Sequence, residues 1–530
     1  MWQLLRGRAP PAYDPFSHIM AVPYSGMFGD VEWASSSDDN RTIDLLKHQK
    51  DGLSPGGVDL RALLSASTAD HQRMPFVEDA ARCLTDEEYA RTTMLNNDIP
   101  EVDSAKIRAR TFRTVTNRAF FSAITLLVAW GLFEWCTNSD IYTYGKFFLV
   151  PKGLEFWRVI VDMRIAARLC LSPPPVNFPL IRTLLIEIAS LSYKTGLWAV
   201  TGDFAFWFYQ IPCSPWLQRL FGIEVEDPVT KQKKFAKMRC CPMGFSYSPR
   251  WATALGWMVI LHREANDPDT LGVFETWGVN PPSFVRLRRS PEGETVGFIF
   301  LWIDNVLVIT NDQQLRDKWF NRLEANARHF RCLWKTDSKT KCSSLLRTSS
   351  PTYIGIHFRR VGTMVRWCHE SERTAKWKDL LALPILTPRQ VARHIGVAQW
   401  HQMITLQPLF SIDDAIEIGR RISKRVRSKK DWDIPLSDLG LTLPEADIRV
   451  LRHHVRRARK NDESSPRSMP ARTRVRKTSL NWMSSKIRRP ELGESTMGLE
   501  QLFMGTPTIL PMFHPPILLR SSAGPMKKDS

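Results

Sequence analysis

The chain lacks the arrangements by which cysteine usually signals function. Its nine cysteines (83, 136, 170, 213, 240, 241, 332, 342 and 368) include no C-x-x-C and no Cys/His spacing suited to a metal. Neither a zinc site nor a disulfide framework is expected, and a reducing, intracellular setting (cytoplasmic or nuclear) fits. No secretory signal stands at the amino end. The most apolar run, Ala119 to Phe133, is shorter than a membrane span and carries Ser and Thr, so a core helix is expected and no membrane partner. Acidic residues are the minority charge, 54 Asp and Glu against 73 Lys and Arg, which leaves a net charge of +19. That excess favours a polyanion as partner, nucleic acid ahead of a membrane surface.

What the chain does have is apolar bulk. Hydrophobic residues make up 43% and there are 19 Trp, enough for a large packed core. A length of 530 residues suggests about three to four domain-sized units. Residues 1–103 are rich in Pro, Gly, Ser and Asp without a sustained period, and read as a loop-rich region. From Ser104 to Glu134 the pattern turns helical, led by Lys106, Arg108, Arg110, Arg113 and Arg118. Lys146 to Arg164 reads as strand, turn, strand, which would mount Lys152, Arg158 and Arg164 on a stiff hairpin. Rigid cations of this kind can neutralise a triphosphate, although charges on a hairpin are often only solvated surface. Leu180 to Leu191 reads as a helix, residues 219–238 as an antiparallel pair, and Ser248 to Arg263 as a helix. Residues 264–296 read as an inserted loop.

Two stretches carry candidate chemistry. Gly297 to Thr310, G-F-I-F-L-W-I-D-N-V-L-V-I-T, sets two strand-like apolar runs around Asp304-Asn305, a pair suited to a hairpin turn. Leu197 to Pro212, L-W-A-V-T-G-D-F-A-F-W-F-Y-Q-I-P, puts Asp203 at the end of a short apolar strand. Each aspartate alone reads equally as a turn or cap residue. Together they offer two carboxylates on rigid supports.

The order of parts is more informative than any one of them. V-P-K, R-V-I-V-D-M-R, D-F-A-F-W-F-Y-Q-I, C-P-M-G-F-S-Y-S-P, W-I-D-N and Y-I-G-I-H-F follow one another over residues 140–405. This series resembles the motifs of retroelement reverse transcriptases, nearest to those of long-terminal-repeat elements and of tyrosine-recombinase elements of the DIRS and VIPER kind. The resemblance implies an α+β right-hand polymerase with an antiparallel palm sheet. Its parts would be a fingers-like segment at 104–196, a palm at 197–370, a thumb-like helical segment at 371–460 and a disordered basic tail at 461–530. It implies an RNA-directed DNA polymerase, with an RNA template, a DNA primer and deoxynucleoside triphosphates as partners and Mg²⁺ or Mn²⁺ as cofactor. Asp203 and Asp304 would be the catalytic metal ligands. Lys152, Arg158, Phe208, Gln210, Met243 and Gly244 would surround the nucleotide, with Phe208 as the aromatic gate against a ribose 2′-hydroxyl. Lys341-Cys342 resembles the K-C before the primer grip, and Tyr353-Ile354-Gly355 the grip itself. Thr387-Pro-Arg-Gln390 would start the thumb helix as a capping box with Pro at its first position.

The departures matter as much. Asn305 stands where the family usually has a second Asp, Trp302 where it has Tyr, and Trp207 where it has Gly or Ala. Two carboxylates meet the minimum for a divalent site, while an amide adds an oxygen without charge. The alternative function is therefore a catalytically inactive nucleic-acid-binding remnant of such a polymerase. Beyond the thumb, the acidic cluster of an RNase H domain is not found, so the chain reads as truncated or degenerate there. From Arg420 to Lys477, 18 Lys and Arg face seven Asp and Glu. Ile448 to Lys460 is a basic helix candidate with Val450, Leu451 and Val455 on one side, suited to a phosphate backbone or simply to solvent.

Overall fold

The computed structural model describes residues 53–98, 118–152, 156–264, 271–336, 342–407, 409–427 and 430–463. Three helices come first: α1 (Leu60–Thr68), α2 (Pro75–Thr85) and α3 (Glu87–Met94). The loop-rich character expected for 1–103 does not hold here. Asp59 and Asp86 cap α1 and α3 by accepting the N–H of Ala62 and Tyr89, and Pro75 pre-sets the first turn of α2. Leu63, Phe76, Val77, Ala80 and Leu84 then fix these helices to the main core. Pro- and Gly-rich flanks hide those short signals in the sequence.

Helix α4 (Arg118–Ala129) uses most of the apolar run and passes into β1 (Phe133–Cys136). Strands β2 (Lys146–Lys152) and β3 (Phe156–Asp162) form a separate hairpin, in register from Lys146↔Asp162 to Lys152↔Phe156. Short α5 (Arg164–Leu169) and α6 (Ile181–Ser190) follow. Next come β4 (Trp198–Asp203), α7 (Trp207–Gln210) and α8 (Pro215–Arg219). Strands β5 (Gly222–Glu226) and β6 (Lys233–Met238) join β1 in an antiparallel sheet of order β1-β6-β5, and α9 (Ser248–Leu261) follows them.

The element that mounts the site is a five-stranded antiparallel sheet of order β10-β4-β9-β8-β7. Its further strands are β7 (Phe284–Arg288), β8 (Thr295–Trp302), β9 (Asn305–Thr310) and β10 (Leu346–Thr348), with α10 (Gln313–His329) between the last two. The stretch 264–296, expected as a loop, thus supplies an edge strand. Its alternation of half-buried Phe284, Arg286 and Arg288 with buried Val285 and Leu287 gives one side of β7 to the core. Both faces of the sheet are covered. Val200, Ile299, Leu301, Val306 and Val308 belong to the main core with α9 and α10, while Ala199, Phe298, Phe300, Leu307 and Ile309 pack on α6. Successive side chains point to opposite faces, so burial on both sides requires an unbroken apolar run. That is the pattern seen in F-I-F-L-W.

A smaller antiparallel sheet of β11 (Thr352–Tyr353), β12 (Ile356–Val361) and β13 (Met364–His369) continues the second core. Helices α11 (Ser371–Ala382), α12 (Pro388–Ile404), α13 (Asp413–Ser423) and α14 (Glu445–Glu463) follow. Of these, α12, α13 and α14 pack around a third core built on Val391, Ile395, Ile418, Ile422 and Leu451, and Trp377 of α11 packs with Val455 and Ala458 of α14. The capping box read at Thr387 forms: Thr387 Oγ1 accepts from the Gln390 N–H at 3.4 Å, and Gln390 Oε1 accepts from the Thr387 N–H at 3.0 Å. The architecture is α+β with antiparallel sheets. Among the described residues, no helix is long and apolar enough to cross a membrane.

Candidate active site at the ends of the central strands

β4 ends on Asp203 and β9 begins on Asn305, and the two are partners in the ladder. Asn305 is also paired with Trp302 across the β8–β9 hairpin. The two-residue turn is therefore Ile303-Asp304 and not the Asp304-Asn305 that local propensity suggests. Ile303 takes up the positive φ, at 57°. A β-branched residue in that region is strained, and such strain persists only where the surroundings enforce it. Here the enforcement is visible: β8 and β9 are buried along their length, and the Phe204 N–H donates to the Asp304 carbonyl at 2.9 Å. The fold thus brings Asp203 and Asp304, about a hundred residues apart in the chain, to adjoining strand ends.

Each carboxylate has its own partner. Lys335 Nζ donates to Asp203 Oδ2 at 3.1 Å. Asn305 Nδ2 donates to Asp304 Oδ1 at 3.0 Å. Tyr353 on β11 reaches the start of β9, its hydroxyl donating to the Asn305 carbonyl oxygen at 3.4 Å. Burial, and then the charge of Asp304, hold that hydroxyl well above the usual range, so it stays neutral. The expected primer-grip turn therefore touches the hairpin directly.

The segment after Asp203 separates its aromatic residues by role. Phe206 has a φ of 45° and opens the single turn α7. Trp207 is fully buried, donates its ring N–H to the Ala252 carbonyl at 2.8 Å and stacks on Phe204. The large residue at that position is accommodated because it points into the core and away from the carboxylates. Phe208 and Phe206 are half-buried and pack against the main core, whereas Tyr209 and Gln210 are buried. The Tyr209 hydroxyl donates to the Val159 carbonyl on β3 and ties the hairpin to the site.

Gln210, expected beside the nucleotide, is turned into the core. Its amide donates to the carbonyls of Ala205 and Leu333, and its carbonyl oxygen accepts from the Leu333 N–H at 2.7 Å. This fully buried side chain is committed to backbone partners and fixes the loop after β4. Gly244 lies against the end of β3: it pairs with Asp162 in an isolated bridge, and a Cβ there would lie 2.1 Å from the Val161 oxygen. Met243 beside it is half-buried. Lys152 and Arg158 lie on β2 and β3, one residue of strand away from Val159 in the case of Arg158, with their side chains outside the described part. Lys341 lies outside the described residues, as do Lys106, Arg108, Arg110 and Arg113.

Two residues of the site carry no sequence signal. Ser344 Oγ donates to the Asp203 carbonyl at 2.9 Å and accepts from its N–H at 3.1 Å. Lys335 sits among several lysines in L-W-K-T-D-S-K-T-K-C, where no spacing singles it out.

The donor set suits a hard divalent ion. Two aspartates stand at adjoining strand ends, and a cation, the Lys335 ammonium, already pairs with one of them. Mg²⁺ is commonly held by one or two carboxylates together with substrate phosphates, so these residues fit. Among the described residues no group of three or more His, Cys, Asp or Glu could hold a metal by itself.

No protein-family model matches the chain. No curated protein matches it either. Among solved structures it is similar to the foamy viral protease-reverse transcriptase dRH in complex with dsDNA, at 15% identity and a TM-score of 0.44, over 76% of this chain and 59% of that one. It is also similar to the foamy viral protease-reverse transcriptase in complex with dsDNA, at 14% identity and a TM-score of 0.39, over 78% of this chain and 73% of that one. The chain therefore spans less than two thirds of the first of these.

Proposed function

We propose that the chain is a template-directed nucleotidyltransferase, an RNA-directed DNA polymerase of a retroelement, working with Mg²⁺ or Mn²⁺ at Asp203 and Asp304. The observation that carries the reading is the β4–β9 register, which sets the two carboxylates on adjoining, densely packed strand ends. A bound divalent ion would supply a more acidic primer 3′-hydroxyl and a counter-charge for the phosphates. The rest falls to the chain. Asp203 and Asp304 orient through fixed backbone, since neither strand end can shift without opening the core. Lys152 and Arg158 would neutralise the triphosphate from the β2–β3 hairpin, which Tyr209 and Gly244 hold against the site. Phe208 would crowd a ribose 2′-hydroxyl, with Met243 beside the nucleotide.

One observation favours a second reading. Asn305 is neutral and Lys335 offsets the charge of Asp203, so the pair is poor in negative charge. A remnant that binds nucleic acid without extending a primer would look the same. Primer extension by the full chain, on RNA and on DNA templates with and without Mg²⁺ or Mn²⁺, separates the two. Metal-dependent extension supports the polymerase; binding with no extension under any condition leaves the remnant.

A further inference from the structure

Lys335 is bound to Asp203 at both ends. Its N–H donates to the Asp203 carbonyl at 2.7 Å, and its own carbonyl accepts from the Ser344 N–H at 2.7 Å. Trp334 stacks on Phe204 with centroids 4.3 Å apart and lies so close to Gly202 that a Cβ there would be 2.7 Å from its ring. The base of the lysine therefore cannot drift. Its stem can: the side chain is 50% exposed, against 25% for Asp203. The ammonium at 3.1 Å from Oδ2 is thus a tethered cation on a ligand oxygen, able to leave for water.

We infer that Lys335 is an internal counter-cation of the divalent site, which occupies Asp203 in the resting chain and is exchanged for the metal ion on loading. This rests on the polymerase reading of the same two carboxylates. The physical basis is competition. Two carboxylates with one ammonium carry a single net negative charge, and Asn305, already donating to Asp304, adds none. Loading must break the Lys335 ion pair before Asp203 can turn both oxygens to an ion. Exposed ion pairs are weak, so the exchange is reversible, yet binding of each divalent ion is weakened by the energy of that pair. Lys335 thereby sets metal affinity. It is a positioning residue, acting through Asp203.

The test uses the full chain and Mn²⁺ alone, with free Mn²⁺ read by electron paramagnetic resonance. Lys335→Met, which keeps the stem and removes the charge, is expected to bind Mn²⁺ about two- to fivefold more tightly than the unaltered chain, the scale of a half-exposed pair. Lys335→Arg should match the unaltered chain, and Asp203→Asn should bind much more weakly. Melting curves without metal check that each variant folds, and Lys335→Gln repeats the measurement should Lys335→Met fail. Equal or weaker binding by Lys335→Met, with Asp203→Asn still impaired, overturns the counter-cation while the metal site stands. Binding that ignores Asp203→Asn, or no binding by any variant, overturns the site itself and the inference with it.

Discussion

The central sheet and the C-terminal helices solve opposite problems. The sheet is apolar on both faces, and the candidate ligands stand at its ends, where β4 and the β8–β9 turn emerge from the core. The helices each bury a single stripe. On α14 Leu451, Val455 and Ala458 are fully buried, while Arg449, His453, Arg456 and Lys460 recur on the exposed side at helical spacing. Carboxylates that must share an ion need sub-ångström placement, which dense packing on two sides provides. Cations that meet a phosphate backbone need only to be on one face and in water. The basic helix candidate read over 448–460 is therefore both things at once, a packed helix inside and a charged surface outside.

The largest expected difference is in stability. Phe300→Ala removes a fully buried ring from the sheet and should cost about 3–5 kcal/mol, read from urea unfolding. Arg449→Ala with Arg456→Ala should change stability by less than about 0.5 kcal/mol per site. Comparable losses would break the contrast between the two regions.

An intermediate effect is expected at their junction. His369 on β13 and His401 on α12 lie buried with Nε2 and Nδ1 3.0 Å apart, and Arg373 and Trp377 pack beside them. Burial first, then His401 and Arg373, push His369 down to about 3. A histidine kept neutral in the folded state gives stability that is present above its unfolded value near 6.5 and is lost as pH falls toward 3. Its share of the loss should reach about 2 kcal/mol at pH 5. Melting curves from pH 7 to pH 4 test this; a His369→Asn chain whose profile is as steep as the unaltered one would assign the loss elsewhere.

How far the sequence reveals this molecule depends on where each signal is kept. The apolar runs of β8 and β9, the Asp203 strand, the Thr387 cap and α9 are local patterns, and they fold as read. The turn at 303–304 is off by one residue because ladder pairing of Asn305 with both Trp302 and Asp203 overrides the Asp-Asn turn preference. Helices α1 to α3 are hidden by Pro- and Gly-rich neighbours although the Asp59 and Asp86 caps and the leading Pro75 are present. The burial of Gln210 and its backbone partners are encoded by no spacing. Lys335 and Ser344 are invisible for the same reason: their role comes from residues 333–335 pairing beside 203–205.

Smaller effects concern binding and metal preference. Neutralising Arg449, Arg456 and Lys460 together should weaken nucleic-acid binding on all sequences alike. The salt slope should fall by about one for each phosphate left without its cation. An unchanged slope would return those charges to solvent. Asn305→Asp adds the missing charge and should raise extension in Mg²⁺ more than in Mn²⁺, which tolerates mixed sites better. Superimposable rates against Mg²⁺ concentration would show that the amide serves only the strand.

The central claim is that Asp203 and Asp304 act as one unit on one ion site. The direct measurement is extension rate in a double-mutant cycle of Asp203→Ala, Asp304→Ala and the pair together, with template binding followed in parallel. Residues that act as a unit are strongly non-additive, so each single change should abolish extension as fully as the double change, with template binding nearly intact. Extension that survives either single change, or losses that simply add, would contradict a shared site.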